Sequence, residues 1–581
     1  MSKIWKLKEK ISVKQAPKYE KFGAFLGQLL YNRELEEESE IKDFLSPEYT
    51  KLPDPFLFQD MNKAAERIWK AVEAGEKMVI YGDYDADAVT ANAVLRQTFK
   101  LLGADVTSYI PDRFSEGYGV NLEALKKIKN QGAKVIITVD CGTNSVEAAQ
   151  FCKESGIDFI ITDHHEIIGA LPAAFALINP KNDFDNYPHR EITGVGVAFK
   201  LACAILKNPK SEILNPKLKP GAEKWLLDLV AIGTVADCHS LLGENRILVK
   251  YGLKVLEKTR WVGLRALIKS AGLLAEGTPS NPKGVLAWKK APDTYTLGFV
   301  IAPRLNAAGR LEHADIALDL LLEEHLDDAK VKAEKLEKIN SRRQEATQRI
   351  LSEAKERALL LSDRKVLVIM SDDWHKGVVG LVAGRLAEDF YKPTIVLQAE
   401  GEEATGSART VGNFNVVEAL KYASDHLVRF GGHKQAAGLT LRTENFEIFY
   451  QTILEYAEKQ EGEPAGPILE LEAELTAEDL TLQTFELVSA LEPFGVGNPR
   501  PKFLIRNARV ISQRQVGGEG KHLQMQIEVG ETSISAIAFN FRPMEGSEIF
   551  DVACELIQDG WNGRRQLKLR VVDVRINQDT K

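Results

Sequence analysis

The sequence is poor in the features that mark secreted, membrane-bound or strongly basic proteins. It has five cysteines in 581 residues, and none of them forms a CxxC pair, which agrees with a reducing compartment. No apolar run approaches the roughly 20 residues that span a bilayer, and the N-terminal stretch lacks the apolar core of a signal peptide. A formal net charge of −8 argues mildly against binding to nucleic acid through overall charge. These absences predict a cytoplasmic protein with no membrane segment.

The length of 581 residues exceeds what one hydrophobic core usually supports, so several domains are expected. From residue 61 to residue 162, amphipathic helices alternate with short apolar strands. This alternation predicts an α/β domain with a doubly wound, mostly parallel sheet. The predicted segments are helix 61–73, strand 77–82, helix 88–102, strand 105–110, helix 121–131, strand 133–139, helix 144–154 and strand 157–162.

The rest of the chain predicts three further units. A stretch of dense mixed charge without Gly or Pro indicates one long connecting helix, whose Arg342 and Arg343 either contact phosphate or face solvent. A second, smaller α/β unit follows, with strands from Lys365 and Thr394 and a helix over Val416–Val428. Five short strands then suggest a barrel of the OB type, at 501–514, 522–529, 532–539, 549–557 and 566–576. The predicted domains are a lead-in (1–54), a large α/β domain (55–322), the connecting helix (323–363), a smaller α/β domain (364–466) and the barrel (467–581).

Acidic and histidine residues follow several of the apolar runs directly. Asp83, Asp85 and Asp87 follow one strand pattern, and three similar runs precede the others: Asp140, the pair His164 and His165, and Asp237, whose preceding run Leu229–Ala236 we interpret as a strand. Because active sites lie at the carboxyl ends of parallel strands, these residues are expected to converge. One acidic segment alone would be a solvated loop, but four at the same place in the pattern indicate a site.

Carboxylates with one or two imidazoles favour Mn²⁺ or Mg²⁺ over a closed zinc site. Two such ions could clamp both the attacking and the leaving oxygen of a phosphodiester, with Asp140 as the best-placed bridging ligand. The residues therefore predict metal-dependent phosphate-ester chemistry.

The motifs YGDYDADAVT, TVDCGT, TDHH and GTVAD, in this order, resemble the DHH phosphoesterase superfamily. Other segments are similar to one branch of it, the RecJ family of bacterial exonucleases, which degrade single-stranded DNA from the 5′ end. These segments cover nearly the whole chain: IPDRFSEGYGV, TGVGVAFKLA, APRLNAAGRL, WHKGVVGLVAGRL, GSARTVGNFNV, RFGGHKQAAGL and PFGVGNPRPKF.

The resemblance implies a role for each matching residue. The implied metal ligands are Asp85, Asp87, Asp140, His164 and Asp237. His165 would contact the scissile phosphate, and Asp83 would orient a metal ligand without binding the metal itself. Residues near the cleft would be Arg304, Asn306 and Arg310, while Arg113, Ser407 and Arg409 would bind the 5′-phosphate, with His433 in the glycine-rich signature of the DHH-associated domain. Ala88 replaces the family's usual glycine, and it is harmless if this position opens a helix.

The function implied is that of a 5′–3′ exonuclease in DNA recombination and repair, using two Mn²⁺ or Mg²⁺ ions and releasing 5′-mononucleotides. A monomer is expected, because one chain with a complete two-lobed site needs no second subunit. Its implied partners are single-stranded DNA, a single-strand-binding protein and a RecQ-type helicase. Phe494 and Trp561 are candidates for base stacking. The first alternative is a phosphodiesterase for short oligonucleotides, cyclic dinucleotides or polyphosphate, which would give the barrel no purpose. The second is a binding module without catalysis, which the complete ligand set disfavours.

Overall fold

The computed structural model describes residues 3–117, 119–275, 285–460, 466–544, 549–559 and 565–576. Its strands are β1 Ile4–Leu7, β2 Met78–Gly82, β3 Val106–Tyr109, β4 Val135–Val139, β5 Asp158–Thr162, β6 Ala176–Ile178, β7 Leu367–Ser371, β8 Thr394–Glu400, β9 Glu403–Arg409, β10 Leu427–His433, β11 Ala436–Arg442, β12 Ile468–Leu471, β13 Ala473–Leu475, β14 Phe503–Val516, β15 His522–Val529, β16 Thr532–Ala538, β17 Ile549–Asp559 and β18 Gln566–Ile576.

The α-helices are α1 Ala16–Tyr19, α2 Ala24–Tyr31, α3 Glu38–Leu45, α4 Met61–Ala74, α5 Ala86–Leu101, α6 Leu122–Asn130, α7 Val146–Glu154, α8 Gly194–Leu206, α9 Lys210–Leu214, α10 Leu227–Ala236, α11 Gly243–Leu256, α12 Val262–Ser270, α13 Ala302–Leu311, α14 Asp315–Leu321, α15 Leu326–Leu360, α16 Val379–Phe390, α17 Val416–Tyr422, α18 Phe446–Lys459 and α19 Leu482–Ser489. A π-helical turn, Thr296–Ile301, runs directly into α13.

The first lobe consists of strands β2–β6 and helices α4–α14. Its sheet has the order β3–β2–β4–β5–β6 and every neighbouring pair is parallel, which confirms the predicted doubly wound fold. All residues of β2 and β4 are buried, since alternate side chains enter separate apolar cores on the two faces. Strands covered on both faces read as continuous apolar runs, and this explains why the sequence revealed them.

The run before Asp237 is not a strand, so this part of the prediction is wrong. Residues 227–236 form helix α10, whose first eight residues are all buried, and Asp237 is its C-terminal cap. A helix that is buried all round has no polar face, and its apolar run is indistinguishable from that of a buried strand by periodicity.

Helix α15 is the predicted connecting helix, and it spans 35 residues. Its N-terminal half packs into the core of the first lobe through Ala333 and Leu336. Its C-terminal half packs against α16 through Ile350 and Ala354. The helix therefore belongs to the cores of both lobes and is more than a solvated spacer.

The second lobe consists of strands β7–β11 and helices α16–α18. Its sheet has the order β10–β11–β9–β8–β7, with only β7 and β8 parallel. The helix predicted over Val416–Val428 is wrong in extent, because α17 ends at Tyr422 and Leu427 begins edge strand β10. The alternation of Leu, Val, Arg and Phe in β10 suits a strand better than a helix.

The C-terminal strands form a barrel as predicted. Strands β14–β18 close through the additional pairing of β14 with β17. The lead-in is part of this unit, because β1 pairs with β12 and Leu29 and Leu30 share a core with Phe503. Phe494 lies in the same core at 6% exposure, which excludes it as a stacking surface. Trp561 lies outside the described residues.

One buried arginine joins the barrel unit to the first lobe. Arg246 of α11 donates hydrogen bonds to the backbone carbonyls of Phe44, Leu491, Glu492 and Pro493. Its guanidinium also lies 3.8 Å from the centre of the Phe44 ring. These contacts satisfy a buried cation without a carboxylate and fix the barrel unit against α11. In the described parts of the chain, no helix is long and apolar enough to cross a membrane.

Candidate metal centre and arginine cluster

The carboxyl ends of three adjacent strands deliver most of the predicted ligands to one edge of the first lobe. Asp83 follows β2, Asp140 follows β4, and His164 lies two residues beyond β5. Asp140 has a φ of +59°, in the left-handed region that is uncommon for residues other than glycine. This turn redirects the chain at the strand end, where Asp140 is 3% exposed.

Asp85 and Asp87 are fixed by helix N-termini. Asp85 caps α5 and accepts hydrogen bonds from the backbone N–H groups of Asp87 and Ala88, at 2.9 and 3.1 Å. Asp87 accepts from the N–H groups of Gly194 and Val195 at the start of α8, at 2.8 and 2.9 Å. Ala88 lies inside α5 and is not among the residues with positive φ, so the expectation that alanine opens a helix here is confirmed.

The imidazole of His164 lies close to three of the carboxylates. Its Nε2 atom lies 2.9 Å from Asp140 Oδ1, 3.6 Å from Asp237 Oδ2 and 3.9 Å from Asp87 Oδ2. Asp237 Oδ2 is also 3.1 Å from Nε2 of His239. Two sets of ligand atoms each lie within 4.8 Å of one another: Asp140 with His164 and His165, and His164 with Asp237 and His239.

The donor atoms of this centre fit divalent cations. Several of its buried atoms make no hydrogen bond of good geometry among the described residues, although two of the carboxylate oxygens lie close to an imidazole nitrogen. These atoms are Asp83 Oδ1, Asp140 Oδ1, Asp237 Oδ2 and both ring nitrogens of His164. Buried polar atoms are normally satisfied, and a cation would satisfy these together. The set of carboxylates and imidazoles suits Mn²⁺ or Mg²⁺.

The pKa values of the ionisable groups in the centre also indicate a site for a cation. Burial raises the pKa of Asp83 to about 8, with a further contribution from Asp85. Burial, and then the neighbouring carboxylates, raise the pKa of Asp87 and Asp140 well above the ordinary value. Burial lowers the pKa of His164 to about 3, so its imidazole is neutral, the form that binds metals. Positive charge at the centre would relieve the repulsion among these carboxylates.

Asp163 and His165 form a pair beside the centre. Asp163 Oδ1 lies 2.7 Å from Nδ1 of His165 and accepts from the His164 N–H. Burial alone would raise the pKa of Asp163, but its hydrogen bonds to His165 and Thr143 and the charges of both histidines together outweigh this, and the net pKa is low. Burial likewise opposes protonation of His165, but the same hydrogen bond, together with the charges of Asp163, Asp237 and Asp85, raises its pKa above the ordinary value. The pair therefore presents an oriented, more basic imidazole.

Sequence reasoning gave no role to Asp163 or His239. Asp163 is the aspartate of the TDHH motif, and its carboxylate also accepts from the backbone N–H of Thr143, in the loop after β4, at 2.9 Å. His239 follows Asp237 by two residues, and this Asp-Cys-His spacing was the available signal.

Across the cleft lies a group of guanidinium side chains, here called the arginine cluster: Arg113, Arg310, Arg343 and Arg409. Burial lowers the pKa of Arg310 to about 10, and the charges of the other three contribute. Arg113 stacks on the Tyr84 ring at 4.8 Å, and Arg409 donates to the hydroxyl of Ser407. Within the described residues, none of the four forms an ion pair with a carboxylate.

The cluster draws on three parts of the fold. Arg113 and Arg310 belong to the first lobe, Arg409 lies on β9 of the second lobe, and Arg343 lies on α15. Arg310 also donates to the carbonyl of Gly377 in the second lobe, at 3.3 Å. A space surrounded by unpaired guanidinium groups is suited to a phosphate with two negative charges.

Two predicted cleft residues hold other parts of the protein in place. Arg304 forms two hydrogen bonds with Glu337 of α15, at 2.6 and 3.1 Å. Asn306 accepts from the N–H of Ala86 at 2.8 Å, and this contact positions the start of α5. The geometry gives both residues a positioning contact.

His433 is exposed at the end of β10. The pKa of Glu166 is lowered mainly by its hydrogen bond to Lys181, and His433 adds a smaller contribution. His433 is therefore close to the loop that follows His165.

Three family models match the chain. The DHH family N-terminal domain matches residues 77–234, the DHHA1 domain matches residues 363–459, and the RecJ OB domain matches residues 471–573. The match to the first model includes the motifs that carry Asp83 to His165, and the third coincides with the barrel.

The chain is also similar to curated proteins and solved structures. It is 37% identical to the single-stranded-DNA-specific exonuclease RecJ of Bacillus subtilis over 95% of this chain and 68% of that protein. The structure of RecJ with Mn²⁺ from Thermus thermophilus matches with a TM-score of 0.82 and 29% identity, over 99% of this chain and 80% of the other. RecJ with Mg²⁺ from the same organism matches with a TM-score of 0.76 and 28% identity, over 99% and 79%. On these matches and on the site described above, the chain belongs to the RecJ family within the DHH phosphoesterases.

Proposed function

We propose that this chain is a metal-dependent exonuclease that degrades single-stranded DNA from the 5′ end, releases 5′-mononucleotides, and acts in DNA recombination and repair. The observation that carries this proposal is the position of the carboxylate and imidazole centre beside the arginine cluster. The first group has the chemistry of phosphodiester hydrolysis, and the second has the charge to hold a terminal phosphate. The membership of the RecJ family, whose Bacillus relative is named as single-stranded-DNA-specific, supports the choice of substrate.

The proposed ligands of Mn²⁺ or Mg²⁺ are Asp85, Asp87, Asp140, His164 and Asp237, to which the structure adds His239 as a candidate. When bound, two such ions would supply a deprotonated water and neutralise charge on the reacting phosphate. His164 lies in the middle of the set, since its Nε2 atom is within 3.9 Å of carboxylate oxygens of Asp87, Asp140 and Asp237, and Asp140 is the nearest of these at 2.9 Å. The backbone N–H groups that hold Asp87 would keep its carboxylate fixed during turnover.

We propose that His165 contacts the scissile phosphate and that Asp163 holds the imidazole of His165 in the orientation this contact needs. With its raised pKa, the imidazole of His165 can donate a hydrogen bond to a phosphate oxygen while Asp163 accepts from Nδ1. Asp83 is buried behind Asp85 and would orient the start of α5 together with Asn306.

We assign the 5′-phosphate to Arg113, Ser407 and Arg409, and extend the pocket to Arg310 and Arg343. A terminal phosphate held there would place the first phosphodiester bond next to the metal centre, which explains the 5′ polarity. His433 lies on the second lobe close to Glu166, and we propose that it contacts the strand there.

The proposed partners beyond DNA are a single-strand-binding protein and a RecQ-type helicase. They rest on the role of the family in recombination and repair alone. A monomer is proposed because one chain supplies both lobes of the site. A cytoplasmic location is supported by the substrate and by the five unpaired cysteines.

The test is digestion of a single strand labelled at either end, with Mn²⁺ and a duplex control. We expect early release of a 5′-labelled mononucleotide from single strands only. Turnover of dinucleotides without release from long strands would instead assign the protein to the small-substrate phosphodiesterases. Deletion of residues after 467 is a poor test of this alternative, because it would expose Leu29 and Leu30 of the shared core.

A further inference from the structure

Two aromatic side chains beside the cleft are exposed and have no role in the site described above. Tyr295 is 60% exposed and Phe299 is 71% exposed. Their rings stack on each other, with centroids 4.9 Å apart and planes at 20°. A stacked pair of aromatic rings in solvent marks a binding surface more often than a single exposed ring does.

The pair lies at the start of the helical segment that carries two of the predicted cleft residues. The π-helical turn that contains Phe299 continues into α13, which carries Asn306 and Arg310. Asn306 and Arg310, four residues apart, share one face of α13, while Tyr295 and Phe299 lie four residues apart at the π-helical turn that leads into this helix. At about 1.5 Å per residue, Phe299 lies roughly 16 Å from Arg310 along the helix axis.

The pair also lies between the metal centre and the barrel. Gly298 packs so closely on α10 that a Cβ atom there would be 3.2 Å from Val235, two residues before Asp237. On the other side, the hydroxyl of Thr294 donates to the carbonyl of Phe494 at 2.6 Å, in the segment that leads to the barrel. A strand that runs from the barrel to the metals would pass these rings.

We propose that Tyr295 and Phe299 form a stacking platform for bases of the single strand, a few nucleotides from the end held by the arginine cluster. This inference rests on the proposed function. Stacking on aromatic rings tolerates any base, as an exonuclease without sequence preference requires. The helical segment that carries these rings continues into α13 and Arg310. This favours a nucleic-acid strand over an apolar protein partner, because a ligand that follows the segment reaches guanidinium groups.

The test compares Phe299→Ala, Phe299→Tyr and the control Phe184→Ala in the full chain, with Phe184 matched at 75% exposure. Binding of a labelled 20-nucleotide strand is measured by fluorescence anisotropy with EDTA, and then with strands that carry one abasic position at successive sites from the 5′ end. We expect Phe299→Ala to weaken binding roughly tenfold, within the range for loss of one stacked base. Phe299→Tyr and Phe184→Ala should bind like the wild type.

The abasic strands give a readout that a structural role would not change. For the wild type, one or two abasic positions should weaken binding, whereas Phe299→Ala should be insensitive at those positions. If Phe299→Ala bound single strands as tightly as the wild type, and the wild type digested them normally, the stacking platform would be wrong and the proposed exonuclease function would be unaffected. Equal weakening on all strands would show a contact other than stacking and would also overturn it. Failure of the wild type to bind or digest single strands would overturn both proposals.

Discussion

The metal centre and the arginine cluster are both groups of like charges, but they are built differently. The carboxylates and imidazoles of the metal centre all belong to the first lobe, and backbone N–H groups hold two of them at helix N-termini. The arginine cluster is shared among the first lobe, α15 and the second lobe. The positions of the metal ligands therefore depend on the fold of one lobe, whereas recognition of the strand end depends on the relative position of the two lobes.

The difference follows from what each group must do. Metal ligands need fixed positions, since errors of a fraction of an ångström weaken both binding and catalysis. A phosphate pocket that draws residues from both lobes can instead admit and release a strand end when the lobes move. The three predictions below test this division from the largest expected effect to the smallest.

The largest effect is expected for Asp140→Ala. Loss of the central ligand should remove several kcal/mol of transition-state stabilisation, a fall in cleavage rate of roughly a thousandfold or more. Binding of single strands in EDTA should stay within about twofold of the wild type, because the arginine cluster and the barrel are unchanged. Rates from end-labelled digestion and affinities from anisotropy measure the two properties.

A suitable control is Asp183→Ala, because Asp183 is an exposed carboxylate that pairs only with Arg190 on the surface. It should leave both rate and affinity unchanged. If Asp140→Ala lost affinity as strongly as rate, the separation of the two regions would be wrong.

A smaller and more selective effect is expected for Arg409→Ala. Hydrogen bonds to charged groups contribute about 1.5–3 kcal/mol, so kcat/KM on a 5′-phosphorylated strand should fall roughly ten- to hundredfold. A strand with a 5′-hydroxyl should be cut about equally by variant and wild type. Arg409→Lys should lie between them, since an ammonium group cannot replace the planar fork of guanidinium.

The matched control is Arg385→Ala, an exposed arginine of the same lobe that pairs with Glu388 on α16. It should not distinguish the two strand ends. Equal losses of Arg409→Ala on phosphorylated and hydroxyl ends would remove this arginine from the phosphate pocket.

The smallest effect concerns stability without metal. Because the folded-state pKa of Asp140 is raised, ionisation of this carboxyl opposes folding, and its contribution is lost as the pH rises above the ordinary Asp value. Asp140→Asn should therefore stabilise the metal-free protein, and by more at pH 8 than at pH 5. Thermal melting in EDTA at both pH values measures this, and Mn²⁺ should stabilise the wild type more than the variant.

The variant Asp228→Asn separates the two causes of a raised carboxyl pKa, which are burial and repulsion by neighbouring carboxylates. Burial raises the pKa of Asp228 to about 6, and its Oδ1 accepts from the Trp261 indole at 3.0 Å. This variant should also gain stability as the pH rises through 6, but its response to Mn²⁺ should equal that of the wild type. A reduced response to Mn²⁺ would mean that the metal effect is not local to the centre.

The sequence predicted the first lobe well because its strands are buried on both faces. It failed at α10, where a helix buried all round has the same apolar composition as a strand. The convergence of Asp83, Asp140 and His164 was predictable from the rule that parallel strands end at one edge. The position of Arg343 was not, since its neighbours on a charged helix give no sign of which residues face the cleft.

Aromatic residues show a similar limit. Phe494 and Phe299 both lie in segments with glycine and proline nearby, yet one is 6% exposed and the other 71%. The exposure of a side chain depends on residues that are distant in sequence. Sequence reasoning therefore selected Phe494, which lies in a core, and passed over Phe299.

The pairing of β1 with β12 has a consequence for synthesis of the chain. Ile4 pairs with Ile468, and the core that buries Leu29 and Leu30 includes strands beyond residue 500. At about 5–20 residues per second, a ribosome needs tens of seconds to make the partners of a segment that has already emerged. The first lobe can complete its core during this interval, while the apolar face of α2 stays open. The beginning of the chain is thus among the last parts to fold, and a nascent-chain chaperone would find its binding site there.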